Sequence, residues 1–570
     1  MRIVTVRRIS QIFFLAVFLW FCITATVGTA WWQLRGWPIN WILELDPLTA
    51  LATALATGTF YSPLAWALVT VGLTLFVGRF FCGFACPLGT INQFTGWLAR
   101  RGLDLNARVE ANRPRRLQSF KHYLLVFLLG LALMGSVQTG VFDPLPLVYR
   151  SVNLVLIPLA DVGPGVVSGG PRFYASAWLF GAVFLGVVGL NLTLPRFFCR
   201  FLCPLGALFG LLTRFTPWRI GKTAGACGDC RTCEEYCEGA CLPSGKLIGS
   251  ECVLCFNCLD RCPAGRVTFA GKASASGEVW LPDLTRRGLI IAGAGLFLAS
   301  LWEIGALGGA NRDPNLIRPP GALDEERFLT RCIRCGQCMR ICPTNIIQPA
   351  LLEAGIQGLW TPMVNYRIGR SGCTPNCIAC GQVCPTAAIH PLSLEERQGV
   401  GEFAAQGPIR MGTAFVDRGR CLPWAMDRPC LVCHELCPVS PKAIFTRTAF
   451  ETIRNGEALA ARVQGQGVDL DAAIPAGTNL ASGDYYLRPT GQAEAPLRRI
   501  TGVAGTRLTL ERPLALEGLP AAADRVDIVV RLPRPFVDAA KCIGCGMCEH
   551  ECPVAGQRAI RVYSENESRS

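Results

Sequence analysis

With 570 residues, 51% of them hydrophobic and only 17% charged, the chain carries more apolar surface than one soluble core can bury, which excludes a single soluble domain and also excludes disorder. The excess of 55 basic over 41 acidic residues fits nucleic acid, an anionic membrane surface or plain membrane topology. The 30 cysteines decide the class, because they fall in tight C-x2-C-x2-C-x3-C runs that suit iron rather than one another; a secreted disulfide scaffold is excluded and nucleic acid is not an expected partner.

Five stretches are long and apolar enough to cross a bilayer, roughly residues 11–30, 59–78, 122–142, 173–193 and 288–307. The first lacks a small-residue cleavage site and runs into Trp31, Trp32, Trp37 and Trp41, so it reads as a retained helix with an aromatic belt, not a signal peptide. Arg100, Arg101, Arg108, Arg113, Arg115, Arg116 and Lys121 crowd the second loop, against Arg35 in the first and Arg150 and Arg172 in the third. By the positive-inside rule the N-terminus and residues 194–287 are cytoplasmic, and everything after the fifth stretch lies outside.

An internal repeat underlies the first four stretches. Arg79-Phe-Phe-Cys82-Gly-Phe-Ala-Cys86-Pro-Leu-Gly89 recurs as Arg196-Phe-Phe-Cys199-Arg-Phe-Leu-Cys203-Pro-Leu-Gly206, with nine of eleven positions identical, and Asp46-Pro47-Leu48 recurs as Asp143-Pro144-Leu145. An even number of crossings separates the copies, so the repeat is parallel. It brings Cys82, Cys86, Cys199 and Cys203 together as a metal centre or as redox-active dithiols. Asp46 and Asp143 are carboxylates in apolar external loops: quinol-site candidates, or N-caps of the helices that Pro47 and Pro144 begin. Of the four histidines, His122, His390, His434 and His550, only His122 lies near an apolar stretch, which excludes a two-haem cytochrome b. His122 follows Lys121 at a cytoplasmic helix start and is a weaker site candidate than the two aspartates.

Two ferredoxin runs follow, Cys227, Cys230, Cys233, Cys237 and then Cys252, Cys255, Cys258, Cys262-Pro263. In such pairs the fourth thiolate crosses to the partner cubane, so Cys237 is expected at the second cluster and Cys262 at the first. Zinc also binds paired C-x2-C but has no use for a third cysteine and trailing proline. Beyond the fifth stretch stand four more runs, each closed by proline: Cys332, Cys335, Cys338, Cys342; Cys373, Cys377, Cys380, Cys384; Cys421, Cys430, Cys433, Cys437; and Cys542, Cys545, Cys548, Cys552. Spacing does not say which outer run pairs with which. Six runs and two C-x3-C pairs account for all but Cys22 and Cys241 of the 30 cysteines, and those two read as spare.

Cys430-Leu-Val-Cys433-His434 is a formal haem-attachment match, but Cys437-Pro438 completes a ferredoxin run in phase with it. Leu284-Thr285-Arg286-Arg287-Gly288-Leu289-Ile290 is a twin-arginine pattern placed internally; it serves positive-inside topology or folded export of a domain already loaded with clusters. Residues 451–535 lack cysteine and show short β-like stretches, Thr506–Leu510 and Val526–Arg531, that read as a small inserted β-domain.

With these motifs the chain resembles the quinol dehydrogenase polyferredoxins of periplasmic nitrate reduction, the NapH and NapG pair, fused end to end. Residues 1–280 look like the membrane partner; residues 281–570 look like the periplasmic partner and are similar to ferredoxins of nitrous oxide and methylamine respiration. The expected fold class is an α-helical membrane protein of about five helices with α+β ferredoxin-type domains on both sides. The expected divisions are 1–221, 222–280, 281–310, 311–450 with 536–570, and the insert 451–535. The resemblance implies six 4Fe-4S clusters, quinol as substrate, the quinone pool and a periplasmic reductase or c-type cytochrome as partners, the twin-arginine translocase during export, and residence in a bacterial cytoplasmic membrane. Two other functions fit the motifs: a maturation reductase for a metalloenzyme, and the same wire run backward into quinone.

Overall fold

The computed structural model describes residues 2–26, 39–161, 171–281 apart from 226, 228 and 229, then 290, 293–298, 301, 313–471, 479–514 and 525–569. They form two compact units: residues 1–369 with 376–409 and 569–570, and residues 370–375 with 410–568.

The first unit is organised around the helix Ile3–Thr24, which among the described residues is the one helix long and apolar enough to cross a membrane. It starts at Ile3 instead of residue 11 because its early polar residues are satisfied. Buried Arg7 pairs with Glu238 at 3.2 Å, and buried Gln11 donates to the Gly83 carbonyl at 2.8 Å. The next three expected stretches are not continuous helices. Residues 59–78 become the 3-10 turn Ser62–Trp66 and the helix Ala67–Val77. Residues 122–142 become the helix Phe120–Leu133, ended near Gly135, whose φ is 90°. Residues 173–193 become the helix Ala177–Gly189 and the 3-10 turn Leu190–Leu192. Hydropathy passes over the Pro and Gly positions where the backbone turns. The fifth stretch lies largely outside the described residues, and the twin-arginine pattern lies outside them up to Ile290.

Four X-Pro steps start shorter helices at repeat-related positions: Pro47–Thr57, Pro87–Ala99, Pro144–Ser151 and Pro204–Leu212. In each, proline's fixed φ suits the first helical position and drives the preceding residue into the extended region. That preceding residue then caps the helix. Asp46 accepts from Leu48 N, Cys86 from Gly89 N, Asp143 from Leu145 N and Cys203 from Gly206 N.

The repeat also decides how residues 219–281 are held. Arg79 and Arg196 open the two copies of the eleven-residue motif. Arg196 reaches Glu238 at 2.7 Å beside Arg7, and Arg79 reaches Glu251 at 4.0 Å beside Lys121, whose Nζ lies 2.5 Å from the same carboxylate. All six side chains are buried. Glu238 follows Cys237 and Glu251 precedes Cys252, so each bridge holds a cluster-ligand loop against one half of the repeat. Strands Arg219–Lys222 and Val267–Ala270 pair antiparallel to close this segment.

At the other end of the same helices sits the first outer run. Arg334 donates to the Val137 carbonyl, Arg172 to the carbonyls of Arg340 at 2.6 Å and Cys342 at 2.8 Å, and Tyr174 Oη to Met339 O at 3.1 Å. A Cβ on Gly140 would collide with the Ile333 carbonyl, so the approach is close enough to need glycine there. The helix Phe120–Leu133 thus starts beside the Lys121–Glu251 pair, and just past its far end Val137 N meets Leu329 O at 3.3 Å. Along Ile3–Thr24, Arg7 and Cys22 are about 22 Å apart at the helical rise.

In the second unit seven antiparallel strands span 444–537: β1 Ile444–Thr452, β2 Leu459–Gln464, β3 Gly467–Leu470, β4 Tyr485–Pro489, β5 Arg498–Ala504, β6 Arg507–Leu510 and β7 Arg525–Val537. Their order is β4-β5-β6-β3-β2-β7-β1, and a further β4–β7 pairing closes six of them into a barrel. Alternating residues such as Leu487, Ile500, Leu508 and Ile528 fill its core. Closure removes the edges of these six short strands and leaves β1, paired with β7 alone, as the outer edge.

Removing one partner of a buried pair leaves an uncompensated charge. Glu251→Ala, which strands both Arg79 and Lys121, is therefore expected to cost about 3–5 kcal/mol, read as a lowered midpoint of thermal unfolding in detergent. Glu110→Ala, which removes an exposed pair with Arg113, is expected to leave the midpoint unchanged.

Candidate functional site

Four of the six runs resolve into four-thiol cavities, each built from three cysteines of one run and the fourth of its partner. Cys227, Cys230 and Cys233 share a cavity with Cys262 and Pro263. Cys258 is closest electrostatically to Cys255, Cys252 and Cys237. In the first unit Cys332, Cys335 and Cys338 line a cavity with Cys384 and Pro385. In the second, Cys421, Cys430 and Cys433 do so with Cys552 and Pro553, and Cys542, Cys545 and Cys548 with Cys437 and Pro438. The outer runs therefore pair first with second and third with fourth. Cys342 lies near Cys377, while Cys373 falls in the stretch 370–375 of the second unit and donates its N–H to Cys545 O at 2.7 Å.

The backbone of these loops is shaped for a caged anion. The residues on either side of the second cysteine take positive φ in three runs: Leu254 and Phe256 at 51° and 55°, Arg334 and Gly336 at 58° and 78°, Gly544 and Gly546 at 67° and 72°. Alternation of this kind turns successive N–H groups toward one concavity, and strain borne by Leu, Phe and Arg is typical of a ligand clamp. Among the described residues no three of His, Cys, Asp and Glu converge closely enough for a single metal ion. Thiols spread around a void, with N–H groups facing it, fit a cubane whose irons hold the sulfurs apart, and do not fit zinc. Cys430 and Cys433 of the haem-like motif are in such a wall, and His434 Nδ1 is bonded to Ile444 O at 2.7 Å.

The C-x3-C cysteines also come together. Cys203 feels Cys199, Cys82 and Cys86 as its nearest charged neighbours, and Asn92 donates to Cys199 Sγ at 3.4 Å. Cys86 and Cys203 sit as caps on helix N-termini, each accepting a backbone N–H. The four do not converge on a point, so the single-ion form of the expected metal centre is not supported; redox dithiols, or a cluster spread between them, remain open to these residues.

Asp46 and Asp143 take the N-cap role. Both are fully buried, 0% exposed; each caps its own helix, Asp46 also accepts from Thr49 Oγ1 at 2.9 Å, and the two carboxyls are neighbours. The pair joins the two halves of the repeat. His122 is buried without a hydrogen-bond partner for either ring nitrogen.

Sequence reasoning missed two features. Cys241, read as spare, places its Sγ 3.4 Å from Cys237 Sγ and hydrogen-bonds Cys252 as well; that contact brings the Cys237 thiol down to about 7. The C-x3-C spacing from Cys237 was the available signal. The second is the glutamates: burial would raise Glu238, but Arg7 and Arg196 bring it down to about 2. A lone glutamate beside a ligand cysteine carries no sequence signal of its own.

Comparison with known proteins agrees with this geometry. Two models described as 4Fe-4S binding domain match, one at residues 59–106 and 176–223, the other at 328–348 and 535–555. Ferredoxin-type protein NapH of Escherichia coli (strain K12) is 28% identical over 297 residues, 49% of this chain and 92% of that protein. The first half of the chain is thus similar to the NapH-type membrane polyferredoxins. Protein NirI of Paracoccus denitrificans is 32% identical over 234 residues, 39% of this chain and 32% of NirI. Regulatory protein NosR of Pseudomonas aeruginosa is 27% identical over 206 residues, 35% of this chain and 26% of NosR. The match to NapH spans nearly that whole protein, whereas this chain spans a third or less of NirI and NosR. No solved structure matches it. The chain is an iron-sulfur electron-transport protein, with 4Fe-4S binding domains in both of its halves.

Crossed ligation has a non-additive signature. If Cys335 and Cys384 serve one cubane, Cys335→Ala with Cys384→Ala should lose about 4 iron per chain, the same as either alone. Cys380→Ala with Cys384→Ala should lose about 8, although those two cysteines belong to one run. Anaerobic iron and sulfide analysis reads both, and the reverse result would refute the crossing.

Proposed function

We propose that the chain oxidises quinol in a bacterial cytoplasmic membrane and passes the electrons one at a time through cubanes to a periplasmic redox partner, a reductase or its c-type cytochrome. The observation that carries this reading is that one unit seats four-thiol sites at both ends of the same two helices, Ile3–Thr24 and Phe120–Leu133. The C-x3-C thiols lie toward the Glu251 end, where Arg79 contacts both Cys82 and Ser250. Leu281 is bonded to Ser250 at the Glu251 end, whereas Ile317 pairs with Val364 beside the first outer run. This supports a crossing in the region of residues 288–307 and an outward second half, brought out by the twin-arginine route. Six cubanes would take the six runs, and the barrel of 444–537, which carries no cysteine, is a docking surface for the acceptor.

A wire with sites at both ends of a helical core is more than a maturation reductase needs. The test is anaerobic mixing of the cluster-loaded full chain with a menaquinol analogue, followed by EPR. Cluster signals should appear with quinol at the expense of the oxidised state. Clusters that dithionite reduces and quinol does not would overturn the function.

Because Asp46 and Asp143 act here as neighbouring caps, and Asn caps nearly as well, Asp46→Asn and Asp143→Asn are expected to keep quinol-driven reduction within about twofold of wild type. Loss of quinol reduction with dithionite reduction intact would return the pair to the quinol.

A further inference from the structure

We propose that Cys237 and Cys241 are interchangeable ligands of one iron in the cubane held by Cys252, Cys255 and Cys258. This rests on the electron-transfer reading of the six runs and adds a fifth thiol to one of their sites. Cys241 belongs to no run, yet it does not stand alone. Its Sγ lies 3.4 Å from Cys237 Sγ, and the two cysteines, 3% and 4% exposed, share one buried cluster with Leu247 and with Cys252 of the following run.

The sequence around Cys237 departs from the other runs where the fourth ligand should be fixed. Every other run closes with Cys-Pro, and Pro263, Pro385, Pro438 and Pro553 each line the cavity their cysteine completes. Such a proline restricts the backbone of the cysteine before it. Cys237 is followed by Glu238 instead, and the chain continues through a second x3 gap to Cys241, with Pro243 two places beyond. The closing position is thus shared by two thiols, neither in the Cys-Pro form.

Cys241 also has the backbone of a ligand. Ala240 and Leu242 flank it with φ of 55° and 51°, just as Leu254 and Phe256 flank Cys255 and Arg334 and Gly336 flank Cys335. The loop is held firmly: Cys241 N donates to Cys237 Sγ at 3.3 Å, Ile248 N donates to Cys241 O at 2.8 Å, and a Cβ on Gly239 would meet the Glu251 carbonyl at 2.3 Å. Glycine therefore lets this loop press against the residue before Cys252. Thiolates on different irons of a cubane stand well beyond contact distance, so two sulfurs in contact compete for one iron.

The exchange balances without a co-reactant. The bond from iron to Cys237 Sγ breaks and one from the same iron to Cys241 Sγ forms, while the proton that Cys241 carries as a free thiol crosses the contact to Cys237. Four thiolates and one thiol are present before and after, and no electron is gained or lost. Pro243 lines the neighbouring cavity of Cys227, Cys230 and Cys233, so with Cys241 as ligand the chain joins the two inner sites through Leu242 alone.

The test is anaerobic iron and sulfide analysis of the cluster-loaded full chain, with EPR. Cys237→Ala and Cys241→Ala should each keep the wild-type iron content, whereas the two together should lose about 1 to 4 iron per chain, with the signal of a three-iron cluster where a single iron is lost. Reduced Cys237→Ala should also give a cluster spectrum altered from wild type, because its iron is held from a different point of the loop. Iron loss from Cys237→Ala would reduce Cys241 to a hydrogen-bonding neighbour and overturn the exchange. Iron loss from Cys241→Ala, or full iron in the double variant, would overturn it as well. Where Cys237→Ala is not recovered folded, Cys237→Val, which keeps the site filled, takes its place. Cys255→Ala is the control for the site itself: it should lose iron as the double variant does, and full iron there would remove the cubane and with it this part of the electron path.

Discussion

The architecture of the first unit depends on two buried bridges, Arg196–Glu238–Arg7 and Arg79–Glu251–Lys121. Each costs desolvation of several charged groups, and such groups persist only where geometry and hydrogen bonding are good. Here they are not interchangeable with apolar packing. Each bridge joins a repeat copy to the loop of one cluster ligand, and Arg79 and Arg196 are also neighbours of Cys82. Guanidinium suits this role because its planar fork donates in several directions at once: Arg79 serves a carbonyl, a carboxylate and a thiol.

From that junction the rest follows in order. The helices between the two ends are short and broken, because each X-Pro step must place a capping side chain, aspartate or cysteine, at the start of a helix. Cap and thiol coincide at Cys86 and Cys203, where the helix start needs an acceptor and a cysteine supplies it. At Asp46 and Asp143 the same device is used for structure. Two carboxyls in contact give the repeat a fixed meeting point, which a pair of apolar residues would define less sharply.

The cluster loops show a different economy. Their thiols come from short segments with little secondary structure, so each loop is held from outside: by the arginine bridges at residues 237–252, by Arg172 and Tyr174 at residues 338–342, and by strand pairing of Thr413–Val416 with Ile560–Tyr563 in the second unit. Positive φ at Leu254, Phe256 and Arg334 is the cost of turning N–H groups toward the cavity.

Much of the chemistry was legible in one dimension, because thiolate ligation imposes spacing: three cysteines in one turn of loop and a fourth after x3 with proline. The crossing of Cys237 and Cys262 follows from the same constraint. The internal repeat was legible as identity, and with it the meeting of Cys82, Cys86, Cys199 and Cys203. Pairing among the outer runs was not, since equal spacings carry no address; only the fold brings Cys384 to Cys332 and Cys552 to Cys421. Helix lengths were misjudged because hydropathy averages over residues such as Pro63 and Gly135 that turn the backbone. Asp46 and Asp143 were ambiguous for a related reason: a carboxylate before proline reads alike as cap or catalyst, and burial with mutual contact is a tertiary fact. Cys241, Glu238 and Glu251 act through neighbours far along the chain, at distances that sequence does not encode. Local covalent requirements determined the cofactor class; long-range packing decided which thiols share a cluster and which charges are paired.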